Sequence, residues 1–230
     1  MTPLVVAPCN SAAATHAVMN WHYSRRMPIG KIVRFGAWEG DRFVGVVLFA
    51  RGASPHLGTP YGLDMTECVE LVRVALRDHE HPVTEIVAAA MRQLRQQSPG
   101  VRAVVSFADP KQNHHGGIYQ AGNWIYTGES APAPEYFFQG RWRHVRALSA
   151  PSFTSTSRST APVTNEQRAA LPQRMTPGKH RYIYPLDRAI RRRLQPLSLP
   201  YPHAVQGSEV SHQPSRPVGR VRSPRTAPEQ

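Results

Sequence analysis

The stretch VRAVVSFADPKQNHHGGIYQAGNWIYTGE, residues 101–129, constrains the fold of this chain more than any other. Residues 101–107 are a short apolar run rich in β-branched side chains, the pattern of a buried strand. Ala108-Asp109-Pro110 ends it, because proline offers no N–H to a ladder and restrains the residue before it. A polar, glycine-containing turn follows over 111–117, then a brief helix at 118–121, which Gly122 breaks before a second strand at 124–126. This arrangement brings backbone donors and a few side chains to one strand end, where α/β sheets usually hold ligands. His114, His115, Tyr119, Gln120 and Asn123 crowd there more densely than packing needs, so the stretch is read as the active-site segment.

The rest of the chain divides unevenly around it. In 230 residues with 40% hydrophobic content, residues 1–148 carry nearly all the strand and helix patterns, enough for one core. Residues 149–178 are poor in apolar side chains and hold Pro151, Pro162, Pro172 and Pro177, which reads as a long loop or linker. Residues 179–205 regain a strand (KHRYIYP) and a short basic helix that pack back on the core or extend it. From 206 to 230, Pro, Ser, Gln and Arg dominate, and a disordered basic tail is expected. The formal charge of +13, from 28 Lys and Arg against 15 Asp and Glu, favours a polyanionic partner such as nucleic acid. The bland alternative is a basic tail that only raises the pI.

Two cysteines, Cys9 and Cys68, provide neither a disulfide framework nor a four-cysteine zinc site. No apolar run approaches the roughly 18–20 residues that span a bilayer, and the N-terminus lacks the order of a secretory signal. A cytoplasmic, soluble protein is expected.

Before the active-site segment the chain reads as strand 3–8, a helix from 12 to about 21 capped by Ser11, and a hairpin of strands 31–38 and 42–49 turning at Glu39-Gly40-Asp41. A glycine- and proline-rich loop spans 51–63. ECVELVRVAL at 67–76 reads as a strand that sends Glu70 and Arg73 to opposite faces. Pro82 starts an amphipathic helix over 83–96, with Ile86, Val87, Ala90, Met91 and Leu94 inward.

This order of elements resembles that of GNAT-type acyltransferases, an α/β fold with a mixed central sheet flanked by helices. Tyr119-x-x-Gly122 followed by Trp124-x-x-x-Gly128 resembles the family's tyrosine-bearing turn and last strand. Before the helix at 83, where the family carries a glycine-rich pyrophosphate loop, this chain reads Arg77-Asp78-His79-Glu80-His81-Pro82, so the ordinary way of binding coenzyme A is missing. A helix N-terminus still attracts phosphate. A closer likeness covers most of residues 18–190: HYSRRMP at 22–28, ARGASPHLG at 50–58, ECVELVRVAL, SFADP at 106–110, HHGGIYQAGNWIYTG at 114–128 and KHRYIYPLD at 179–187 together resemble the Mom family of phage DNA-modification proteins.

That resemblance implies a transferase in a bacterial host's cytoplasm that converts adenine in double-stranded DNA to N6-carbamoylmethyladenine and shields phage DNA from restriction. The activated acyl donor is either a glycyl donor such as a charged tRNA or acetyl-CoA with later amination. Tyr119 resembles the tyrosine with which GNAT enzymes protonate a leaving group. Asp109 accepts the amine proton or merely caps a turn; Ser106 reaches the site or is only packed. His22 and Tyr23, beside Arg25 and Arg26, suit an extruded base. Arg73, His79, His81, His114, His115 and Gly117 are donor-side candidates. Arg51, Gln120, Asn123, Arg191 and Arg192 join Arg25 and Arg26 as DNA-side candidates. Trp124, Tyr126 and Trp142 read as core. No metal is expected, since adjacent histidines rarely share an ion and no His-x-x-x-His or Cys-x-x-Cys spacing occurs. Two rivals stand beside this reading: a small-molecule or protein N-acetyltransferase, and a noncatalytic DNA-binding protein on the same scaffold.

Overall fold

The structure, a computed structural model, describes residues 2–52, 54–145, 148 and 163–203. Its first elements follow from local pattern. β1 (Leu4–Pro8) leads to α1 (Ser11–Trp21), whose cap is Asn10 rather than the expected Ser11: the Asn10 side chain accepts from the Ala13 amide at 2.8 Å. β2 (Ile32–Glu39) and β3 (Arg42–Ala50) form the expected hairpin. β4 (Cys68–Leu76) and α2 (Val83–Gln97) come next, with the five predicted apolar residues of α2 all buried. The active-site segment folds as β5 (Ala103–Ala108), a short 3₁₀ turn, α3 (Gly117–Ala121) and β6 (Ile125–Glu129).

Among the described residues these strands join β10 (His180–Pro185) in one seven-stranded sheet of order β1-β2-β3-β4-β5-β10-β6. Only β4 and β5 pair in parallel; the other neighbours are antiparallel. The sheet is therefore mixed, and helices cover both of its faces. Ala14, Ala17 and Val18 of α1 pack with Val46, Leu48 and Ala75, whereas α2 packs with Phe35, Val44, Val47 and Phe49. α5 (Arg188–Leu194) buries Ile190 and Leu194 against Cys68, Val105, Ile125 and Ile183.

A second sheet of three strands, in order β8-β7-β9, stands beside the first: β7 (Ala133–Phe138), β8 (Arg141–His144) and β9 (Gln173–Thr176). Here the structure departs from the sequence reading of 149–178 as loop. Residues 163–178 hold α4 (Asn165–Ala169), fixed by a Thr164–Gln167 capping box, and β9, whose backbone pairs with β7 although its side chains are mostly exposed. A strand stabilised by its ladder needs no apolar alternation, so composition gave no signal. Residues 149–162 and the expected tail at 206–230 lie outside the described residues.

One irregularity shapes the site. Along the β3–β4 ladder Leu48 pairs with Arg73 and Phe49 with Leu71, so Val72 is an extra residue in β4. A bulge of this kind shifts the alternation by one. Glu70 and Arg73 consequently share a face, contrary to the expectation from spacing. Their mutual electrostatic influence agrees with that placement.

Trp124 is 2% exposed and packs its ring against Tyr119 and Tyr184, joining the short helix to the sheet. Trp124→Ala is expected to lower the free energy of unfolding by about 3–5 kcal/mol, read from denaturant melts, because a large buried ring leaves a cavity that the fold cannot refill.

Candidate active site

β4 and β5 pair only from Cys68 with Ala103 to Glu70 with Val105, and then they part. Ser106 bridges the opening. Its Oγ lies 2.9 Å from the Leu71 carbonyl and 2.8 Å from the Tyr119 hydroxyl. A carbonyl can only accept, so the Ser106 proton goes to Leu71 and Tyr119 donates to Ser106. Both side chains are buried. Burial pushes the Tyr119 phenol up to about 12, the contact with Ser106 opposing the rise and Tyr23, Glu70 and Tyr182 adding to it. Tyr119 is thus a neutral proton donor held in place, the form that protonating a leaving group requires.

α1 delivers His22 and Tyr23 beside this pair. Their rings lie 4.3 Å apart, and Tyr23 meets His114 edge-on at 5.6 Å. The Ser24 amide donates to His22 Nδ1 at 3.1 Å, which leaves the proton of the neutral ring on Nε2. Burial, with the charges of Arg73 and His114, lowers the His22 pKa to about 4, so the imidazole stays uncharged at neutral pH and presents an N–H donor. Arg73, on the face it shares with Glu70, is half-buried and donates to the Arg26 carbonyl at 3.3 Å. The cluster therefore combines a neutral acid, a neutral imidazole, an exposed tyrosine, a cation and a carboxylate.

The loop before α2 is built quite differently from a phosphate cradle. The buried Glu39 carboxylate accepts the Glu80 and His81 amides through Oε1, at 2.7 and 2.9 Å, and pairs with Arg42 at 2.6 Å. Burial alone would raise this carboxyl, but the hydrogen bonds from His81, Glu80 and Arg42 outweigh it and hold it below its ordinary value. His81 donates from Nε2 to the Thr2 carbonyl at 2.7 Å and from Nδ1 to Glu85 at 3.0 Å, so the ring is an imidazolium with a raised pKa. His79 faces the His81 carbonyl at 2.8 Å. The Glu80 and His81 amides thus already hold the protein's own carboxylate.

The other sequence candidates scatter around the cluster. Asp109 caps the turn after β5, accepting from the Lys111 amide at 3.0 Å, and pairs with Lys179 at 2.9 Å. Gln120 donates to the carbonyls of His115 and Pro202 and to the Tyr182 hydroxyl, tying α3 to the last described residues. Asn123 supplies a positive φ in the turn before β6, and Gly117 packs close to the His115 ring. Arg25 and Arg26 lie exposed just after α1, and Arg51 is exposed after β3. Arg191 of α5 stacks over Tyr184 of β10, and Arg192 is exposed on the same helix. Trp124 and Tyr126 are buried as expected, whereas Trp142 is 36% exposed, a correction to its reading as core. Among the described residues no group of three or more His, Cys, Asp and Glu could hold a metal.

Sequence reasoning missed two residues. Glu39 read as a hairpin-turn residue, and its role needs two amides from a loop far along the chain. Tyr182 sits fully buried among Tyr119, Tyr126 and Tyr201 and donates to the His115 carbonyl at 2.6 Å. Gly116 makes this possible, since with φ +88° its added Cβ would collide with the Tyr182 ring.

A parallel pair that opens beside a buried tyrosine, with β10 inserted between β5 and β6, defines a mixed α/β domain with a candidate site at the strand opening. The chain belongs to the Mom protein family, whose model it matches over residues 3–203. It is 29% identical over 177 residues to the methylcarbamoylase mom of Escherichia phage Mu, covering 75% of this chain and 71% of that protein. Among solved structures, a Bacillus subtilis acetyltransferase in complex with CoA is 12% identical with a TM-score of 0.45, covering 81% of this chain and 100% of its own. Spermidine N-acetyltransferase from Vibrio cholerae is 9% identical with a TM-score of 0.45, covering 82% and 97%.

Glu39 supplies the pH test of the loop. A carboxyl whose folded pKa is depressed stabilises the fold above its unfolded value near 4.5, and loses that contribution as pH falls through the folded value. Glu39→Gln is expected to lower the thermal midpoint at pH 7, with the gap to the parent narrowing as melts are repeated toward pH 3.

Proposed function

We propose that this chain modifies adenine in double-stranded DNA, converting it to N6-carbamoylmethyladenine and so protecting phage DNA from restriction in the host cytoplasm. The observation that carries the reading is the meeting of Tyr119, Ser106, His22, Tyr23, Arg73 and Glu70 where β4 and β5 part, in a chain of the Mom family. The name of the phage Mu relative, methylcarbamoylase, supports the product.

The donor proposed is an activated glycyl ester, such as the one carried by a charged tRNA. The Glu39-filled loop supports a donor without a pyrophosphate to bind there, and a net charge of +13 supports a donor carried on RNA. The adenine amine attacks the glycyl carbonyl; a bond from N6 to that carbon forms and the ester C–O bond breaks. Tyr119 gives its proton to the departing oxygen, and Glu70, on the face of Arg73, takes the proton that N6 releases and returns it to the phenol. The new N6-glycyl group then rearranges without gain or loss of atoms. Its free amine attacks the ring carbon through a five-membered intermediate, and the bond from that carbon to N6 breaks. The glycine nitrogen becomes the exocyclic amine and N6 becomes the terminal amide. His22 and Tyr23 hold the extruded base, by an N–H donor and a ring face.

Nucleoside mass spectrometry of plasmid DNA from expressing cells tests the reading. Cells grown on ¹⁵N-glycine are expected to yield a carbamoylmethyl adduct whose label sits on the nitrogen attached to the ring. Tyr119→Phe is expected to cut its yield about 10²–10⁴-fold, the usual loss for a general acid. Unmodified DNA from folded, well-expressed protein would overturn the function, and an unlabelled adduct would overturn the glycyl donor. Millimolar coenzyme A is expected to leave the melting temperature unchanged, because a ligand raises it only by binding the folded state.

A further inference from the structure

The β7–β8 hairpin has surface chemistry that the site just described does not use. Its two-residue turn, Gln139-Gly140, has positive φ at both positions, 51° and 74°, as in the tight turns that match strand twist and give a stiff ribbon. One step back from the turn, Phe137 and Trp142 are cross-strand partners with ring centroids 5.5 Å apart. They are 41% and 36% exposed, so a large aromatic pair faces water instead of the core. The Arg174 guanidinium of β9 stacks over Trp142 at 4.4 Å.

Arg141 and Arg143 alternate with Trp142 and so lie on the opposite face of the ribbon. Burial, with the charges of Arg141 and Arg26, disfavours the charged form of Arg143; its Nη2 donates to Gln139 Oε1 at 3.0 Å, while its Nε is buried with no hydrogen-bond partner among the described residues. Three like charges gathered around an unsatisfied donor favour the arrival of an anion. Arg26 belongs to the HYSRRMP segment that carries His22 and Tyr23, so this cationic face adjoins the base-handling side of the site. On its other flank the ribbon is tied to the turn after β5 by Lys111–Glu135 at 2.7 Å, with Arg174–Glu135 at 2.9 Å bracing its strands.

We propose that the β7–β8 hairpin is the duplex-DNA contact of this chain, with Arg141 and Arg143 on backbone phosphates and the Phe137–Trp142 pair stacking on bases left exposed when the target adenine leaves the helix. The proposal rests on the DNA-modification reading and deepens it. Cations that track a phosphate backbone, interleaved with aromatic faces, are the chemistry with which opened nucleic acid is held.

Fluorescence anisotropy with a labelled DNA duplex and a labelled tRNA, across a salt series, tests it alongside nucleoside mass spectrometry of the plasmid. Arg141→Gln with Arg143→Gln is expected to weaken duplex binding at least about tenfold and to reduce the salt slope by about two, one for each phosphate no longer neutralised. The matching pair of lysine substitutions is expected to restore most of that slope. Phe137→Ala with Trp142→Ala is expected to keep the salt slope while lowering adduct yield about tenfold or more, with thermal melts confirming that each variant is folded. Parental affinity, slope and adduct yield in all variants would overturn the proposal, as would a loss confined to tRNA. Duplex binding that depends on the hairpin, in a parent chain that leaves DNA unmodified, would uphold this surface while overturning the modification reading.

Discussion

The parting of β4 from β5 is the constraint on which the rest of the molecule depends. Two parallel strands that pair for three residues and then separate leave backbone groups without ladder partners, and buried groups of that kind must find others. Ser106 answers for the Leu71 carbonyl, and in doing so it becomes the acceptor that fixes the Tyr119 hydroxyl. The Val72 bulge acts on the same strand, turning Arg73 to the face of Glu70. A defect in the sheet, a serine that repairs it and a tyrosine that uses the serine form one device.

Around this device burial does most of the electrostatic work, and it acts oppositely on acid and base. It raises the Tyr119 phenol and lowers the His22 imidazole, so both are uncharged at neutral pH. A largely neutral pocket with Arg73 beside it can accept a neutral base without a large desolvation penalty. The loop before α2 follows the reverse logic: there a permanent charge is wanted, and Glu39 is surrounded by donors that keep it ionised. The Glu39 carboxylate makes this loop a clasp that joins β2 to α2.

The second sheet completes the division of labour. Among the described residues its strands are held by ladder hydrogen bonds and by ion pairs around Glu135, and Phe137, Arg141 and Trp142 lie at the surface. A chain with 28 basic residues gains little specificity from charge alone; the fold concentrates a few of them beside the segment that carries His22 and Tyr23.

How much of this the chain's letters carried depends on the range of the interaction. Periodicity and proline placement located β2, β3, β4, α2, β5 and α3 within a residue or two, because these elements are set by alternation, helical spacing and breakers close in sequence. The crowding of polar residues after Phe107 singled out a segment whose Tyr119 meets Ser106 where β4 and β5 part, and the resemblance marked the family. Short-range signals failed wherever a partner comes from far along the chain. The bulge at Val72 depends on how β3 pairs, β9 depends on the edge that β7 offers, and the partial exposure of Trp142 depends on its meeting Phe137 and Arg174 across the second sheet. Glu39 meets its amides across about forty residues, and Tyr182 meets His115 across more than sixty. The sequence by itself determined the order of the elements and the chemical types available. Only the tertiary structure decided which of them share a face, which are buried deeply enough to change their protonation, and which are already engaged with one another.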